Sequence, residues 1–317
     1  MLFKRQRLLL TLLDALDGSV QQTDFQKLLF LYVHECEDDP SYEFVPYRFG
    51  GFSFTSYADK RKLVAKGLLD DDDQHWTLTD TGRKAARDQA TDLMRAVSFS
   101  RRYKRLRGHA LIEEQYRRFP YYATRSELLN KLELSAGERA RIAENKPSRQ
   151  PAGVITIGYE GRSLENYLNS LLRDGVTVLC DVRRNPLSRK YGFSKGTLSK
   201  ACEGVGIRYI HIPELGIASE SRQELETQAD YDALFATYEH TTLPHQTEAL
   251  DRILGLVSNG DRVALTCYEQ HPQQCHRARV ANALAKRTEE NGDVLGNILC
   301  INDLQLNSHT TASNSGG

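Results

Sequence analysis

The chain has 317 residues, which is more than one compact domain usually holds, so we expect two domains. Lys and Arg together number 42, as do Asp and Glu, so the overall charge neither indicates nor excludes a polyanionic partner. The 6 cysteines are scattered through the chain with no C-x-x-C pair, and in a cytosolic protein we expect them to be reduced thiols, several of them core residues.

The N-terminus is predicted to be an amphipathic helix. In "MLFKRQRLLLTLLDALDGS" basic residues precede a leucine run, as in a secretion signal, but Asp14 and Asp17 interrupt the run and no small-residue cleavage pattern follows. Leu9, Leu12 and Leu16 lie at helical spacing instead. No other stretch approaches the length of a membrane span, so we expect a cytoplasmic protein with no membrane partner.

Residues 1–133 are predicted to form a mainly α, winged-helix-like domain with a basic extension. The apolar face of "FQKLLFLYVHE" indicates a second helix, capped by Thr23 or Asp24. In "YRFGGFSFTSYADKRKLVAKGLL" a glycine turn precedes a third helix that ends at Gly67. The acidic run at 70–73 and "HWTLTDTGR" then indicate a turn, an edge strand and another capped helix. A helical dimerisation cap is the alternative, and the chain is compatible with a homodimer.

The opening of the chain also resembles the Panacea or SocA-like antitoxin-associated domain. The similarity lies in "FQKLLFL", "PYRFGGFS" and "LVAKGLL", within about the first 70 residues. Gly51 stands where that family usually has proline. The resemblance implies a binding or regulatory role in a prokaryotic defence or conflict setting, and it brings no catalytic residues.

Residues 101–118 form a basic stretch with interleaved aromatic side chains. Such a pattern is compatible with phosphate contacts and base stacking, and beside a winged helix it favours nucleic acid, DNA in the first place, or a nucleotide as the partner. The alternative is a solvated helix whose arginines pair with Glu113, Glu114 and the acidic turn. The residues predicted to contact the nucleic acid are Arg101, Arg102, Lys104 and Arg105.

Two polar segments are predicted to lie outside the folded domains. Residues 134–152 turn polar and end in prolines and a glycine, which is typical of a linker. The low-complexity segment 306–317 is predicted to be disordered. The second domain is therefore expected to span residues 153–305.

From residue 154 onward, short apolar runs alternate with helical stretches. The predicted strands are "VITIG", "VTVLCDV", "IRYIHI", "RVALTCYE" and "VLGNILCI". Their β-branched and apolar residues are expected of strands that are covered on both faces. The alternation of strand and helix predicts an α/β fold with a parallel, doubly wound sheet.

Polar residues follow each predicted strand, and ligands of such sheets bind beyond the carboxyl ends of the strands. The carboxylates predicted to perform acid–base or metal work there are Glu160, Asp181 and Glu269. The residues predicted to bind phosphate or nucleic acid are Tyr159, Arg183, Arg184, Ser188 and Arg277. In the alternative interpretation, Arg183 pairs with Asp181 or Glu269 and only ties strand ends together.

Residues 153–303 resemble the domain of unknown function 488 family. The similar segments are "TIGYEGRSLENYLNSLL", "LCDVRRNPLSRKYGFS", "IHIPELG" and "ALTCYEQHPQQCHRARVANAL". The resemblance implies an α/β fold and a shared polar edge, in a family whose reaction is not established.

The segment "TCYEQHPQQCHRARVANAL" brings Cys267, His271, Cys275 and His276 close together in sequence. Structural zinc sites normally use C-x2-4-C or H-x3-5-H pairs, and adjacent residues at a helix start would point in different directions, although a divalent metal is compatible with the nearby carboxylates. Alternatively, Cys275 lies in the first helical turn beside Arg277, which would lower its pKa and make it, with His276, a reactive or ligand pair. Anion recognition at the helix N-terminus is the third interpretation.

Together these features favour an enzyme that hydrolyses a phosphodiester or N-glycosidic bond in a nucleotide or nucleic acid. The N-terminal domain would hold the polymer, and the α/β domain would carry the reaction. The alternative is a non-enzymatic regulator, in which the α/β domain senses a small phosphorylated ligand and the winged helix reads DNA.

Overall fold

A computed structural model describes residues 1–88, 90–218 and 225–290. The chain divides into two compact units: unit 1 comprises Met1–Lys146 and Leu164–Asn169, and unit 2 comprises Pro147–Ser163 and Ser170–Gly317. No helix within the described ranges is long and apolar enough to cross a bilayer. The predicted strand "VLGNILCI" and the predicted disordered tail lie outside the described residues.

Unit 1 is mainly helical. Its helices are α1 (Lys4–Ala15), α2 (Gln22–Cys36), α3 (Phe54–Ala65), α4 (Asp80–Arg87), α5 (Ala90–Tyr103), α6 (Gly108–Arg118) and α7 (Ala136–Glu144). Its strands are β1 (Ser19–Gln21), β2 (Val45–Tyr47), β3 (Gly50–Phe52) and β4 (His75–Thr77). Strand β1 pairs antiparallel with β4, and β2 pairs antiparallel with β3. The winged-helix assignment of this unit stays a prediction.

The edge strand and the capped helix predicted after the acidic turn are confirmed as β4 and α4. At the start of α4, the hydroxyl of Thr79 accepts a hydrogen bond from the N–H of Gly82 at 3.0 Å. Helix α3 ends before Gly67, which takes a left-handed φ of 67° as a residue after a helix often does.

The cap predicted for α2 is wrong. The helix begins earlier, because the side chain of Gln21 accepts hydrogen bonds from the N–H groups of Thr23 (2.8 Å) and Asp24 (3.1 Å). Asp24 is buried and accepts a hydrogen bond from the N–H of Gly108, at the start of α6, at 2.8 Å. Its carboxylate therefore caps a different helix from the one expected.

Helix α2 is the core helix of unit 1, since every residue from Asp24 to Val33 is buried. Even Lys27 is enclosed: its Nζ donates to the carbonyl of Gly51 at 2.9 Å, and burial lowers its pKa to about 7. A Cβ on Gly51 would lie 2.5 Å from the ring of Phe30, so glycine is required where β3 passes α2.

The segment predicted as a linker, 134–152, contains helix α7. A capping box starts this helix: the hydroxyl of Ser135 accepts from the N–H of Glu138 at 3.2 Å, and the Glu138 carboxylate accepts from the N–H of Ser135 at 2.7 Å. Ile142 is buried, and unit 1 extends to Lys146. The connection between the units is therefore shorter than the polar composition suggested.

Unit 2 is built on a four-stranded parallel sheet, which confirms the predicted α/β fold at this level. The strands are β5 (Gly153–Gly158), β6 (Val178–Asp181), β7 (Arg208–His211) and β8 (Arg262–Cys267), in the order β5-β8-β6-β7. The helices are α9 (Lys195–Gly204), α10 (Gln228–Thr237), α11 (Thr247–Ser258) and α12 (His276–Glu290). Helix α8 (Leu164–Arg173) is divided between the two units.

The last described strand in the chain, β8, lies in the middle of the sheet. Its end, Cys267, pairs with Gly158 of β5, and Thr266 pairs with Asp181 of β6. The chain passes from β6 to β7 and then back across β6 to β8, so the strand order reverses there. Ligands of open α/β sheets bind at such a reversal, beyond the carboxyl ends of the strands.

The helical segment between β7 and β8 is interrupted. Helices α10 and α11 are separated by a π-helical turn, Tyr238–Thr242, and a 3-10 turn, Leu243–His245. Pro244 has no N–H for the helical hydrogen bond and its ring crowds the preceding turn, so a continuous helix cannot pass through it.

Two glycines allow the loops at the carboxyl ends of the strands to approach one another. A Cβ on Gly158 would lie 1.9 Å from the carbonyl oxygen of Glu269, and a Cβ on Gly216 would lie 2.1 Å from the backbone nitrogen of Arg184. Any side chain at either position would push apart backbone segments that carry predicted site residues.

We therefore expect Gly158→Ala to lower the free energy of unfolding by at least about 2 kcal/mol, because the methyl group meets backbone that cannot rotate away. Urea denaturation followed by circular dichroism measures this. Gly255→Ala is the matched control: nothing lies within 4 Å of a Cβ at that position in α11, so stability should be unchanged or raised by about 0.5–1 kcal/mol. Equal losses in both variants would contradict the close approach.

Candidate functional site

A cavity of about 610 Å³ opens beyond the carboxyl ends of β5, β6 and β8. Most of its lining comes from Tyr159, the loop 183–190 and the segment 267–276. The predicted site residues that line it are Tyr159, Arg183, Arg184, Ser188, Glu269 and His276. The other site residues predicted in this domain are Glu160, Asp181, Cys275 and Arg277, and their contacts differ in kind.

Asp181 and Arg183 form a buried ion pair at the end of β6. Asp181 is fully buried and Arg183 is 6% exposed; the guanidinium donates two hydrogen bonds to the carboxylate, at 2.8 and 2.5 Å. The Tyr209 hydroxyl donates to the same carboxylate at 2.6 Å. Burial alone would lower the pKa of Arg183, but hydrogen bonds to and the charge of Asp181 raise it. This geometry corresponds to the alternative in which Arg183 ties strand ends together.

Tyr159 is packed rather than presented to a ligand. Its ring stacks on Phe193 with centroids 4.3 Å apart, and its hydroxyl accepts a hydrogen bond from Arg183 at 2.8 Å. Tyr268, edge-on to Tyr159, is 45% exposed and also lines the cavity. Of these aromatic residues, Tyr268 has the exposed ring that stacking on a base requires.

Glu160 and Arg277 hold the loop that follows β8. The Glu160 carboxylate accepts from the N–H of Gln270 at 2.9 Å. The guanidinium of Arg277 is fully buried and donates to the carbonyls of Glu269 and Gln270, at 2.5 and 3.0 Å. These contacts fix the backbone at Glu269 and Gln270. They differ from the predicted catalytic role of Glu160 and the predicted phosphate contact of Arg277.

Cys275 does not lie in the first turn of a helix, as the sequence predicted. It is extended, with φ −138° and ψ 135°, at the end of a 3-10 turn, and α12 begins only at His276. Burial raises the pKa of Cys275 well above its usual value, and the neighbouring thiol of Cys267 raises it further. The predicted lowering of this pKa is therefore wrong, because desolvation outweighs the charge of Arg277.

Two thiols and one imidazole converge at the wall of the cavity. The ligand atoms of Cys267, Cys275 and His276 all lie within 4.8 Å of one another, and all three residues are buried. The extended backbone of Cys275 makes this convergence possible, since the next side chain, from the start of α12, turns to the same point. His271, the other histidine of the segment, is exposed and does not belong to this group.

The contacts of His276 assign its ring nitrogens. Nε2 lies 2.9 Å from the carbonyl oxygen of Val182, so this nitrogen carries the hydrogen and donates it. Nδ1 faces the Sγ of Cys267 at 3.7 Å, and the same thiol lies 3.2 Å from the Glu269 carboxylate. Cys267 thus lines the cavity between a carboxylate and an imidazole.

The loop after β6 supplies a basic wall. Arg184 and Arg189 are exposed, and the Nζ of Lys190 donates to the carbonyl of Tyr159 at 3.0 Å. Partial burial and nearby Arg162 lower the pKa of Lys190, against the charge of Glu160. The predicted residue Ser188 closes this loop, since its N–H donates to the hydroxyl of Ser194 at 3.0 Å.

Sequence reasoning missed Arg189 and Lys190 as cavity residues. Both lie within "PLSRKYG", directly beside Ser188, and a basic pair in a loop at a strand end was the available signal. Phe193 and Tyr209 were also missed, because their roles are contacts with Tyr159 and Asp181 that no local pattern indicates.

The basic stretch of unit 1 divides into paired and projecting side chains. Arg102 and Arg118 both donate to Glu35, and Arg117 donates to Glu113 and Glu138. These pairs resemble the solvated-helix alternative. Arg101, Lys104 and Arg105 are exposed and form no ion pair within the part of the chain that the structure describes.

Comparison with known proteins supports one part of the resemblance. Residues 163–284 match the family described as Domain of unknown function DUF488, so the match includes the basic loop and the cysteine and histidine segment. No curated protein and no solved structure matches the chain. The resemblance of residues 1–70 to the Panacea or SocA-like domain stays a prediction.

Breaking the buried pair with Asp181→Asn should lower the free energy of unfolding by about 3–5 kcal/mol, because the guanidinium of Arg183 is left charged and uncompensated. Urea denaturation monitored by circular dichroism measures the loss. Asp251→Asn, which removes the same charge from an exposed pair with Arg287, is the control and should leave stability unchanged. A stable Asp181→Asn protein would refute the role of this pair in the fold.

Proposed function

We propose that unit 2 is a hydrolase that acts on a nucleotide or on nucleic acid, in the cavity beyond β5, β6 and β8. The observation that carries this proposal is the division of the lining: the loop after β6 presents cations, and the segment after β8 presents a thiol, a carboxylate and an imidazole. A site of this kind binds an anion on one part of its surface and offers proton-transfer groups on another.

The cations suit a phosphate group. Arg183 also lines the cavity, but Asp181 compensates its charge, so the positive potential comes from Arg184, Arg189 and Lys190. Exposed arginines bind phosphate oxygens with paired, charge-assisted hydrogen bonds. The lining contains these three cations and one carboxylate, Glu269, so a phosphorylated ligand is favoured over a neutral or cationic one.

Glu269 is the best placed acid–base group. It is the one carboxylate among the described residues that line the cavity, whereas Asp181 and Glu160 are engaged in the buried pair and in the loop. In hydrolysis, Glu269 takes a proton from water as the water oxygen bonds to phosphorus or to the sugar carbon. The ester or glycosidic bond breaks, and Glu269 returns the proton to the leaving group.

Both proposed bonds fit a nucleotide in this cavity. Its volume lies in the range of small-molecule sites, and the exposed ring of Tyr268 can stack on a base. A phosphodiester would react beside the basic loop, while an N-glycosidic bond would react with Glu269 next to the cationic sugar. The products distinguish these reactions, since only the second releases a free base.

We further propose that unit 1 binds the nucleic acid polymer, as a winged-helix-like domain would. The support is the set of exposed cations at the end of α5 and in the turn that follows it, namely Arg101, Lys104 and Arg105. Exposed cations that form no ion pair gain more from phosphate contacts than cations already held by carboxylates, such as Arg102.

One observation favours a non-enzymatic regulator as the second candidate. Two of the three predicted catalytic carboxylates, Asp181 and Glu160, are committed to contacts that support the fold, while the basic wall is intact. A sensor of a phosphorylated ligand needs only that wall.

Glu269→Gln is expected to reduce turnover by about 10²–10⁴-fold while substrate affinity stays within a few-fold, because the amide cannot accept a proton. Purified protein is tested with mononucleotides, single- and double-stranded DNA and RNA, and products are separated by chromatography. Glu248→Gln, on the exposed start of α11, is the control and should be fully active.

Full activity of Glu269→Gln would overturn the assignment of the catalytic group. Ligand binding that Arg184→Ala and Arg189→Ala abolish, without turnover of any substrate, would support the regulator instead.

Replacing Arg101, Lys104 and Arg105 by alanine should weaken DNA binding and flatten its salt dependence. For each phosphate that the protein no longer neutralises, the slope of log affinity against log salt falls by about 0.7–0.9. Fluorescence anisotropy over a salt series measures this. The control removes Lys131, Arg141 and Lys146, which are also exposed in unit 1, and should leave the slope unchanged. Equal slopes for both triple variants would exclude the basic stretch as the DNA-binding surface.

A further inference from the structure

The thiols and imidazole at the wall of the cavity form a compact donor set. Cys267 ends β8, Cys275 precedes α12 and His276 begins α12, and their sulfur and nitrogen atoms all lie within 4.8 Å of one another. We propose that these three residues bind a zinc ion whose fourth position opens to the cavity. This inference rests on the proposed hydrolase function and supplies its water-activating group.

The distances fit a tetrahedral zinc site. With Zn–S bonds of about 2.3 Å and Zn–N bonds of about 2.0 Å, a sulfur and a nitrogen ligand of one ion lie roughly 3.6 Å apart. Cys267 Sγ and His276 Nδ1 are 3.7 Å apart. The widest pair in the set requires a contraction of about 1 Å at most, which side-chain rotation provides.

The donor types select zinc among the common ions. Zinc binding would release the two thiol protons to solvent. The resulting thiolates and the imidazole are soft and borderline ligands, which suit zinc and exclude magnesium or calcium. The spacing C-x7-C-H differs from zinc-finger spacing because β8 supplies one ligand and the start of the next helix supplies two. Three protein ligands with one open position are typical of catalytic zinc, whereas structural sites are closed by four.

The imidazole of His276 is oriented by a hydrogen bond of the kind that orients metal-binding histidines. Nε2 of His276 donates to the carbonyl of Val182 at 2.9 Å, so the ring is fixed with Nδ1 directed at the thiols. Metal-binding histidines commonly donate their other ring N–H to a carbonyl in this way. Cys267 and Cys275 are 1% and 0% exposed, so solvent water would compete little for the ligand positions that they occupy.

The open position faces the proposed chemistry. Two members of the set, Cys267 and His276, line the cavity together with Glu269, whose carboxylate lies 3.2 Å from the Cys267 thiol. A zinc-bound water has a pKa of about 7 and gives its proton to the carboxylate. The resulting hydroxide bonds to phosphorus or to the sugar carbon, the old bond breaks, Glu269 protonates the leaving group, and the oxidation state of zinc does not change.

The test measures metal in the full-length protein, purified without chelator and then dialysed against zinc chloride or cobalt chloride. Elemental analysis by inductively coupled plasma mass spectrometry is expected to find about one metal ion per chain. The cobalt-loaded protein is expected to show the thiolate-to-cobalt absorption band of a cysteine-ligated site. Cys275→Ala should lose most of the metal and the band. Cys202→Ala, which removes an equally buried thiol from α9 of the same unit, is the control and should keep both.

Three results would overturn the proposal: no metal uptake by the wild-type protein, equal metal loss in both cysteine variants, or a Cys267–Cys275 disulfide as the native state. The two cysteines form no disulfide in the structure. Should Cys275→Ala fail to fold, the cobalt spectrum of the wild-type protein still decides the outcome, since no thiolate band means no site. Nucleotide hydrolysis by the metal-free protein would refute the catalytic zinc site but not the hydrolase function. Bound zinc without hydrolysis of any substrate would refute the hydrolase function but not the zinc site.

Discussion

The carboxyl edge of the sheet depends on the buried ion pair between Asp181 and Arg183. Both charges are nearly inaccessible to water, and either one alone would cost several kcal/mol, so the pair forms only when the turn after β6 takes this one shape. The hydroxyls of Tyr209 and Tyr159 complete its hydrogen bonds. The basic loop 184–190 starts from this turn. The Asp181–Arg183 pair, which has no net charge, therefore orients the cationic side chains of that loop.

The charged groups at this edge divide according to what they face. Glu160 and Arg277 face backbone of the loop after β8, and through it they set the position of Glu269. A substitution of Glu160 or Arg277 would therefore impair function by displacing that loop. Neither side chain is itself the group that binds the ligand. Arg184 and Glu269 face the cavity, where proposed binding and proton transfer are separate tasks of separate loops.

Sequence reasoning succeeded where a pattern repeats and failed where a contact is unique. Periodic apolar runs predicted the parallel strands, and parallel strands necessarily bring Asp181 and Glu269 to one edge. The pairing of Asp181 with Arg183 was an alternative that the sequence left open, since the two residues are close along the chain. The Tyr209 hydroxyl that also donates to Asp181 comes from another strand and follows no local pattern. At Cys275, the helix starts one residue later than predicted, and the thiol is directed toward Cys267 as a result. Helix boundaries are the structural feature that a sequence predicts least precisely.

The central place of β8 determines the order in which the site can assemble during synthesis. Strands β5 and β6 are made first but are not neighbours, and each leaves a row of unpaired backbone groups until residues 262–267 enter between them. In a nascent chain that stops short of β8, strand β5 has no partner in this sheet and one edge of β6 is unpaired. Unpaired strand edges of this kind favour aggregation or chaperone capture. The thiols of Cys267 and Cys275 meet only after this insertion, so any ion they hold would also secure the last step of folding.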